Sequence, residues 1–298
     1  MSGAGLRDEQ VIPLWHGTPE GTPDHLQMVV TERSPSLFRT DRVITGISAP
    51  SLTAIVPQYP NGVSLIAAPG GGYQRIAADA EGYRLGQHLA SLGVTTFIMT
   101  YRLPGEGHEN ASDVPLADAQ RAMRQVRGNA LSWGLDPHKI LFMGYSAAGH
   151  MAASLATAFD REVYRQVDHL DEISARPDFL ALVYPVITMF DPFVHEGSRQ
   201  ALLGNTPDDE TKAAYTPDRH VGPDTPQTFM VLADDDTSVP AENALGFYAA
   251  LRRHRVPSEL HIYRDGGHGF KAAGKDAPAL EWHRLLIGWM RMTGLLKA

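Results

Sequence analysis

Short apolar runs alternate along this chain with longer amphipathic segments. Four runs, VSLIAA, VTTFIM, FLALVY and TFMVLA, are almost continuously hydrophobic, as strands buried inside a parallel sheet are. Together with two similar runs they predict strands at 62–68, 94–100, 139–143, 179–184, 228–233 and 259–263. The other segments predict helices at 81–92, 115–133, 147–158, 241–254 and 277–295. This alternation indicates an α/β fold in which helices flank a mostly parallel central sheet.

Three regions depart from the alternation. Residues 41–47 and 52–56 are short apolar segments separated by a turn, and they predict an antiparallel hairpin at the leading edge of a sheet of about eight strands. Residues 1–38 show no clear periodicity, which predicts an N-terminal arm on the surface. Residues 187–224, between the sixth and seventh predicted strands, are too long and irregular for a plain connection. We interpret them as a lid or insertion, with Phe190 and Phe193 as its apolar contacts to a substrate.

Composition and charge narrow the class of protein. Of the 298 residues, 43% are hydrophobic and 20% charged, which is typical of a globular protein, and no apolar run is long enough for a membrane helix. No linker or repeat divides the chain, so we expect one domain over residues 1–298. A net charge of −8 disfavours nucleic acid as a partner, and the absence of cysteine excludes disulfides, thiolate catalysis and Cys-bound metals. The first residues lack the pattern of a secretory signal, so we expect a cytoplasmic location.

One strand–turn–helix segment carries candidate chemistry. The predicted strand at 139–143 continues into Gly144-Tyr-Ser-Ala-Ala-Gly149 and then into a helix. A sharp turn of this kind presents the hydroxyl of Ser146 beside the N-terminus of the helix, and small flanking residues let strand and helix pass closely. The usual pattern is Gly-x-Ser-x-Gly, whereas here Ala148 holds the last position and a glycine follows it. An incidental serine in a turn is the alternative, but the context favours Ser146 as a nucleophile.

A serine nucleophile needs a base and an acid that orients the base. His268 lies in a glycine-rich loop directly after the last predicted strand, at the sheet edge where catalytic groups collect. The helical position of His150 favours a packing role behind the site. Four histidines in irregular segments are assigned to the surface: His16, His25, His195 and His220. Asp234, Asp235 and Asp236 follow the strand at 228–233, and chemistry alone does not rank them. The order Ser, Asp, His along the chain is that of the α/β-hydrolase fold.

Acyl transfer also requires N–H donors for the oxyanion of the tetrahedral intermediate. The sequence PGGGY at 69–73 follows the strand at 62–68, and its glycines allow a substrate to approach the backbone. We expect the N–H groups of Gly71 and Gly72, with that of Ala147 as the third, to form this oxyanion hole. The rival interpretation is a phosphate-binding loop, but the segment lacks both the Lys-Ser/Thr of a P-loop and the spacing of Gly-x-Gly-x-x-Gly.

These motifs, taken together, resemble a known family. The matching blocks are PGGGY at 69–73, YRL at 101–103, PLADAQRA at 115–122, GYSAAGH at 144–150, RPDF at 176–179, VYPV at 183–186, DDTSVP at 235–240 and GGHGF at 266–270. They resemble the esterases labelled xylan esterase or endo-1,4-β-xylanase B-like, carbohydrate acetylesterases of the BD-FAE kind, over nearly the whole chain. The resemblance implies an α/β-hydrolase with a Ser-Asp-His triad, no metal or other cofactor, and hydrolysis of short acyl esters, commonly acetyl esters of sugars. It also implies that the triad acid is the Asp of Asp-x-x-Val-Pro, here Asp236.

The sequence therefore predicts a serine carboxylesterase in which Ser146 attacks a small-molecule ester such as an acetylated sugar. Tyr73 and Tyr145, which stand beside the two halves of the oxyanion hole, either line the substrate pocket or pack in the core. Two other functions stay open: an amidase or peptidase of the formamidase or dipeptidyl-peptidase kind, and a non-catalytic binding protein on the same fold. A glycosidase is not indicated, because no pair of facing carboxylates stands out. We expect no membrane partner, and the sequence leaves the oligomeric state open.

Overall fold

The structure is a computed structural model that describes residues 5–36, 38, 40–271, 274 and 277–297. In this part of the chain the strands are β1 (Val11–Pro13), β2 (Val29–Glu32), β3 (Arg42–Thr45), β4 (Ser51–Ile55), β5 (Ser64–Ala68), β6 (Thr95–Thr100), β7 (Ile140–Tyr145), β8 (Phe179–Val183), β9 (Gln227–Ala233) and β10 (Ser258–Tyr263). The α-helices are α1 (Arg84–Ala90), α2 (Val114–Asn129), α3 (Ser146–Thr157), α4 (Glu196–Leu203), α5 (Asp209–Ala214), α6 (Glu242–Arg253) and α7 (Trp282–Met292).

Eight strands form one sheet in the order β1-β4-β6-β5-β7-β8-β9-β10. The six strands β5 to β10 run parallel to one another, and β4 is antiparallel to both of its neighbours. The residues of β5, β7 and β8 are buried from end to end, and successive residues pack on opposite faces of the sheet. Burial on both faces explains why these strands appear in the sequence as continuous apolar runs. The predicted α/β fold with a mostly parallel, helix-flanked sheet is confirmed.

The two faces of the sheet are covered by different helices. Apolar side chains of α2 and α3 pack with the core on one face, and those of α1 and α7 with the core on the other. Among the described residues no helix has the length and apolar character that crossing a bilayer requires.

The predicted hairpin of residues 41–47 and 52–56 is wrong. β3 pairs antiparallel with β2 in a separate two-stranded sheet, whereas β4 pairs with β1 and β6 in the main sheet. Leu52 and Ala54 of β4 are fully buried, so this strand requires a place inside the sheet with partners on both sides. Strand β2 is exposed along its length and pairs outside the main sheet.

The N-terminal arm is also more than a surface segment, although its residues 1–4 and 37 lie outside the described residues. It supplies β1 as an edge strand and continues into Leu14 and Trp15, which are buried. The indole Nε1 of Trp15 donates a hydrogen bond of 2.8 Å to the buried carboxylate of Asp118, which also binds the guanidinium of Arg102. The arm is therefore anchored to α2 by a buried polar contact.

The insertion at 187–224 contains regular structure that its sequence did not suggest. It holds α4, α5 and a 3₁₀ turn at Pro217–Arg219. Its first residues are attached to α6, because the side-chain oxygen of Asn243 accepts hydrogen bonds from the N–H groups of Ile187 and Thr188. The insertion thus starts from a fixed point next to the carboxyl ends of β8 and β9.

Candidate active site

Ser146 stands at the junction of β7 and α3 in a strained backbone conformation. Its φ is +52°, in the left-handed region that residues with a side chain seldom adopt. A Cβ atom at Gly144 would lie 2.1 Å from the carbonyl oxygen of Ala148, and one at Gly149 would lie 2.7 Å from Cβ of Pro185. Both glycines are therefore required for β7, α3 and the segment at Pro185 to pack as closely as they do. The methyl group of Ala148 is accommodated in the core, which explains why the motif tolerates alanine there.

Ser146, His268 and Asp236 form one chain of hydrogen bonds. The distance from Ser146 Oγ to His268 Nε2 is 2.8 Å, and that from His268 Nδ1 to Asp236 Oδ2 is 2.7 Å. The second oxygen of Asp236, Oδ1, accepts the backbone N–H groups of Ser238 and Val239 at 2.9 Å each. Each of the three residues follows the carboxyl end of a parallel strand, β7, β10 and β9 respectively, so the sheet brings them to one edge.

The two neighbouring aspartates take other positions. Asp234 is exposed. Asp235 is also exposed, and its Oδ1 accepts the N–H of Gly267 at 2.7 Å, which supports the loop that carries His268. Of the three aspartates that chemistry alone did not rank, Asp236 is the one whose carboxylate contacts the imidazole, and its side chain is fully buried.

The glycine loop after β5 lies beside Ser146. Gly71 and Gly72 have φ values of +141° and +70°, and a Cβ atom at Gly71 would lie 2.0 Å from the carbonyl oxygen of Arg75. No described residue accepts a hydrogen bond from the N–H of Gly71, Gly72 or Ala147, so all three donors are available to a ligand. These are the donors that the sequence predicts for an oxyanion hole.

The N–H of Gly70 has a different role. It donates a hydrogen bond of 2.6 Å to Oε2 of Glu81, whose other oxygen accepts the hydroxyl of Tyr184. The pKa of the Glu81 carboxyl is raised above its usual value, because the effect of burial exceeds the opposing effect of the hydrogen bond from Gly70. This contact ties the glycine loop to the turn at Asp79–Tyr83 that precedes α1.

Neither predicted tyrosine lines the cleft at Ser146, and the packing alternative fits the structure. Tyr73 is buried, and its hydroxyl lies 2.9 Å from Nδ1 of His150. The Nε2 of His150 lies 2.6 Å from the carbonyl oxygen of Tyr215, so Nε2 carries the proton and Tyr73 donates to Nδ1. Burial lowers the pKa of His150 to about 4 and keeps the ring neutral. Tyr145 is buried against the rings of Tyr184 and Trp282.

An open cleft of about 330 Å³ lies over Ser146 and His268. The glycine loop forms one wall, the insertion contributes His195 and Gly197, and three cationic side chains border the cleft: Arg33, Arg75 and Lys271. His195 was assigned to the surface from the sequence, and this assignment is wrong. The sequence around His195 shows no pattern of a ligand site, and its place as the N-cap of α4 is known only from the structure.

The two phenylalanines of the insertion do not reach this cleft, contrary to the sequence-based expectation. The ring of Phe190 packs instead under the guanidinium of Arg219, 4.5 Å from the ring centroid, and Phe193 is 39% exposed. Within the described ranges, no group of three or more His, Asp or Glu side chains has the arrangement of a metal site.

Comparison with known proteins shows the family and the fold. The BD-FAE family model matches residues 60–251, a range that includes Gly71, Ser146 and Asp236. The chain is 32% identical over 212 residues to Endo-1,4-beta-xylanase B of Butyrivibrio fibrisolvens and 31% identical over 223 residues to Acetylxylan esterase of Xylanibacter ruminicola. These matches cover 71% and 74% of this chain but 33% and 43% of the relatives, so the chain spans less than half the length of either curated relative.

A solved structure matches over the full length. The acetyl ester-xyloside bifunctional hydrolase from Caldicellulosiruptor lactoaceticus is 34% identical and superposes with a TM-score of 0.79, covering 99% of this chain and 100% of that chain. The α/β-hydrolase fold predicted from the order Ser, Asp, His is confirmed.

Proposed function

The chain belongs to the BD-FAE family, and from this premise we propose that it is a serine carboxylesterase that hydrolyses short-chain acyl esters, chiefly acetyl esters of carbohydrates. The observation that carries the proposal is the hydrogen-bonded chain of Ser146, His268 and Asp236, which faces a cleft next to three available N–H donors. The names of two relatives, an acetylxylan esterase and an acetyl ester-xyloside hydrolase, support the acetylated carbohydrate as substrate.

Acylation starts with attack of Ser146 Oγ on the ester carbonyl carbon, while the serine proton moves to Nε2 of His268. The carboxylate of Asp236 stabilises the imidazolium that forms. The negative charge on the carbonyl oxygen is held by the N–H groups of Gly71, Gly72 and Ala147, which have no other acceptor among the described residues. Collapse of the intermediate breaks the ester C–O bond, and the alcohol leaves with the proton from His268.

Deacylation repeats these steps with water as the nucleophile. His268 takes a proton from water, the hydroxide attacks the acyl carbon, and the same three N–H groups hold the second oxyanion. The acid product leaves as Ser146 recovers its proton from His268. The Oγ–Nε2 distance of 2.8 Å supports proton transfer from Ser146 to His268 and back, and the contact of 2.7 Å between Nδ1 and Asp236 orients the imidazole for both steps.

Replacement of Ser146 by alanine tests the nucleophile. We expect Ser146→Ala to lose both hydrolysis of 4-nitrophenyl acetate and labelling by a fluorophosphonate probe. Ser132→Ala is a matched control, because Ser132 is exposed and precedes β7 whereas Ser146 follows it. Labelling that persists in Ser146→Ala, or labelling that is lost in Ser132→Ala, would contradict the assignment.

Ester and amide hydrolysis share this geometry, so the substrate class needs its own test. Rates should be compared for 4-nitrophenyl esters of increasing acyl length, acetylated xylo-oligosaccharides, an aminoacyl-anilide and formylkynurenine. We expect the highest kcat/KM among the acetyl esters. Faster turnover of the anilide or of formylkynurenine would replace the esterase by an amidase, and absence of turnover for all of them would favour a binding protein.

A further inference from the structure

His195 occupies the wall of the cleft that faces the glycine loop. It is the residue before α4 in the insertion, it is half-buried, and it lines the cleft together with Ser146 and His268. A Cβ atom at Gly72 would lie 3.9 Å from Cε1 of His195, so the imidazole stands next to the oxyanion loop. Burial and the nearby His268 lower the pKa of His195, which leaves its ring neutral at pH 7.

The position of the proton on this neutral ring follows from its hydrogen bonds. Nδ1 of His195 lies 3.1 Å from the backbone nitrogen of Ser198 and caps the start of α4. A backbone N–H can only donate, so Nδ1 must be the acceptor and the proton must be on Nε2. The hydroxyl of Ser198, 2.8 Å from Nδ1, must donate as well. Within the described part of the chain no residue accepts a hydrogen bond from Nε2, so this N–H is a donor available to a ligand in the cleft.

We propose that His195 determines specificity for a hydroxylated alcohol group, because its Nε2–H donates a hydrogen bond to a hydroxyl oxygen of the sugar whose ester lies at Ser146. This inference rests on the proposed esterase function and names the part of the substrate that the insertion contacts. The carbonyl oxygen already has donors in Gly71, Gly72 and Ala147. His195 does not act as a second base, since its only basic nitrogen is occupied by the cap of α4.

Two substitutions separate the donor from the helix cap. The side-chain oxygen of asparagine reaches the place of Nδ1, so His195→Asn keeps the cap of α4 but has no donor at Nε2. The amide nitrogen of glutamine reaches the place of Nε2, so His195→Gln keeps the donor but gives up the cap. A purely structural role predicts a normal His195→Asn and a damaged His195→Gln. The proposal predicts that His195→Asn loses selectivity for hydroxylated alcohol groups and that His195→Gln keeps it.

The readout is the ratio of kcat/KM for a monoacetylated xylose to kcat/KM for 4-nitrophenyl acetate, whose alcohol part has no second hydroxyl. We expect His195→Asn to lower this ratio about fivefold, the effect of one neutral hydrogen bond, and His195→Gln to keep it within about twofold of the unaltered protein. His138→Asn, at an exposed histidine before β7, serves as the matched control.

The possible outcomes distinguish this inference from the function on which it rests. If the unaltered protein hydrolyses both esters and His195→Asn leaves the ratio unchanged, the inference is overturned and the esterase function stands. An equal loss on both esters would assign the donor to the acyl carbonyl and also overturn it. Failure of the unaltered protein to hydrolyse either ester would refute the function and the inference together.

Discussion

Replacing Asp236 by asparagine should disable the site by changing where one proton sits on His268. Oδ1 of Asp236 accepts two backbone N–H groups, those of Ser238 and Val239, at 2.9 Å each. Because these groups only donate, the amide oxygen of Asn must take the place of Oδ1. The amide nitrogen is then forced into the place of Oδ2, 2.7 Å from Nδ1 of His268.

An amide nitrogen in that position donates to Nδ1, so Nδ1 can no longer carry a proton. The proton of the neutral ring moves to Nε2, which lies 2.8 Å from Ser146 Oγ and is the atom that has to accept the serine proton. The variant also lacks the negative charge that stabilises the imidazolium. We expect kcat to fall by about 10⁴, which corresponds to about 5 kcal/mol of activation free energy, with little change in KM.

The assay is steady-state hydrolysis of 4-nitrophenyl acetate, with thermal melting to show that the fold is retained. Asp235→Asn and Asp234→Asn are matched controls. The oxygen of Asn at 235 still accepts the N–H of Gly267, so we expect at most a few-fold loss, and exposed Asp234 should be insensitive. Normal kcat in Asp236→Asn, or a 10⁴ loss in Asp235→Asn instead, would refute the tautomer reasoning.

Three further predictions concern the loop, the core and acid stability. Gly71→Ala puts a methyl group 2.0 Å from a backbone carbonyl oxygen, so the loop must shift and kcat for 4-nitrophenyl acetate should fall at least about 10². Asp118→Ala leaves the buried guanidinium of Arg102 without its partner and should lower the free energy of unfolding by about 3–5 kcal/mol in urea. The hydrogen-bonded guanidinium of Arg121 lowers the pKa of Asp168 to about 2, so this carboxylate stabilises the fold above about pH 4 and the contribution is lost as the pH falls towards 2. Asp168→Asn should remove that part of the acid dependence of the unfolding free energy, measured in urea at a series of pH values.

The features that the sequence predicts correctly depend on local patterns. The strands β5 to β9 are almost entirely buried, so each appears as an apolar run, and the turn at Ser146 is recognisable because its steric demands fall on adjacent residues. Asp236 is different. What separates it from Asp235 is that it is buried and its Oδ1 faces two N–H groups, and that depends on the turn after β9 and not on residue type.

The errors involve contacts between distant segments. β1 has three residues and β2 has four, too few for a periodicity to be detected, and the pairing of β4 with β1 joins segments about 40 residues apart. The position of His195 could not be predicted for the same reason, because it depends on how the insertion folds back towards the glycine loop. Tyr73 follows Gly71 and Gly72 directly, and yet its hydroxyl contacts His150 in the core because the backbone of the loop turns it inward.

His150 connects the glycine loop, the proposed oxyanion hole, with the insertion, the proposed wall of the substrate site. Its Nδ1 accepts from Tyr73, the residue after Gly71 and Gly72, and its Nε2 donates to the backbone carbonyl of Tyr215 in the insertion. A neutral imidazole satisfies one donor and one acceptor only in a single tautomer, and here both partners are buried or half-buried, so losing either contact leaves an unpaired polar atom at a cost of about 1–3 kcal/mol. The insertion therefore cannot shift at Tyr215 without disturbing the ring that contacts the glycine loop through Tyr73. A change of substrate specificity is best sought at His195, whose Nε2 has no such second partner among the described residues, while the contacts of His150 are kept.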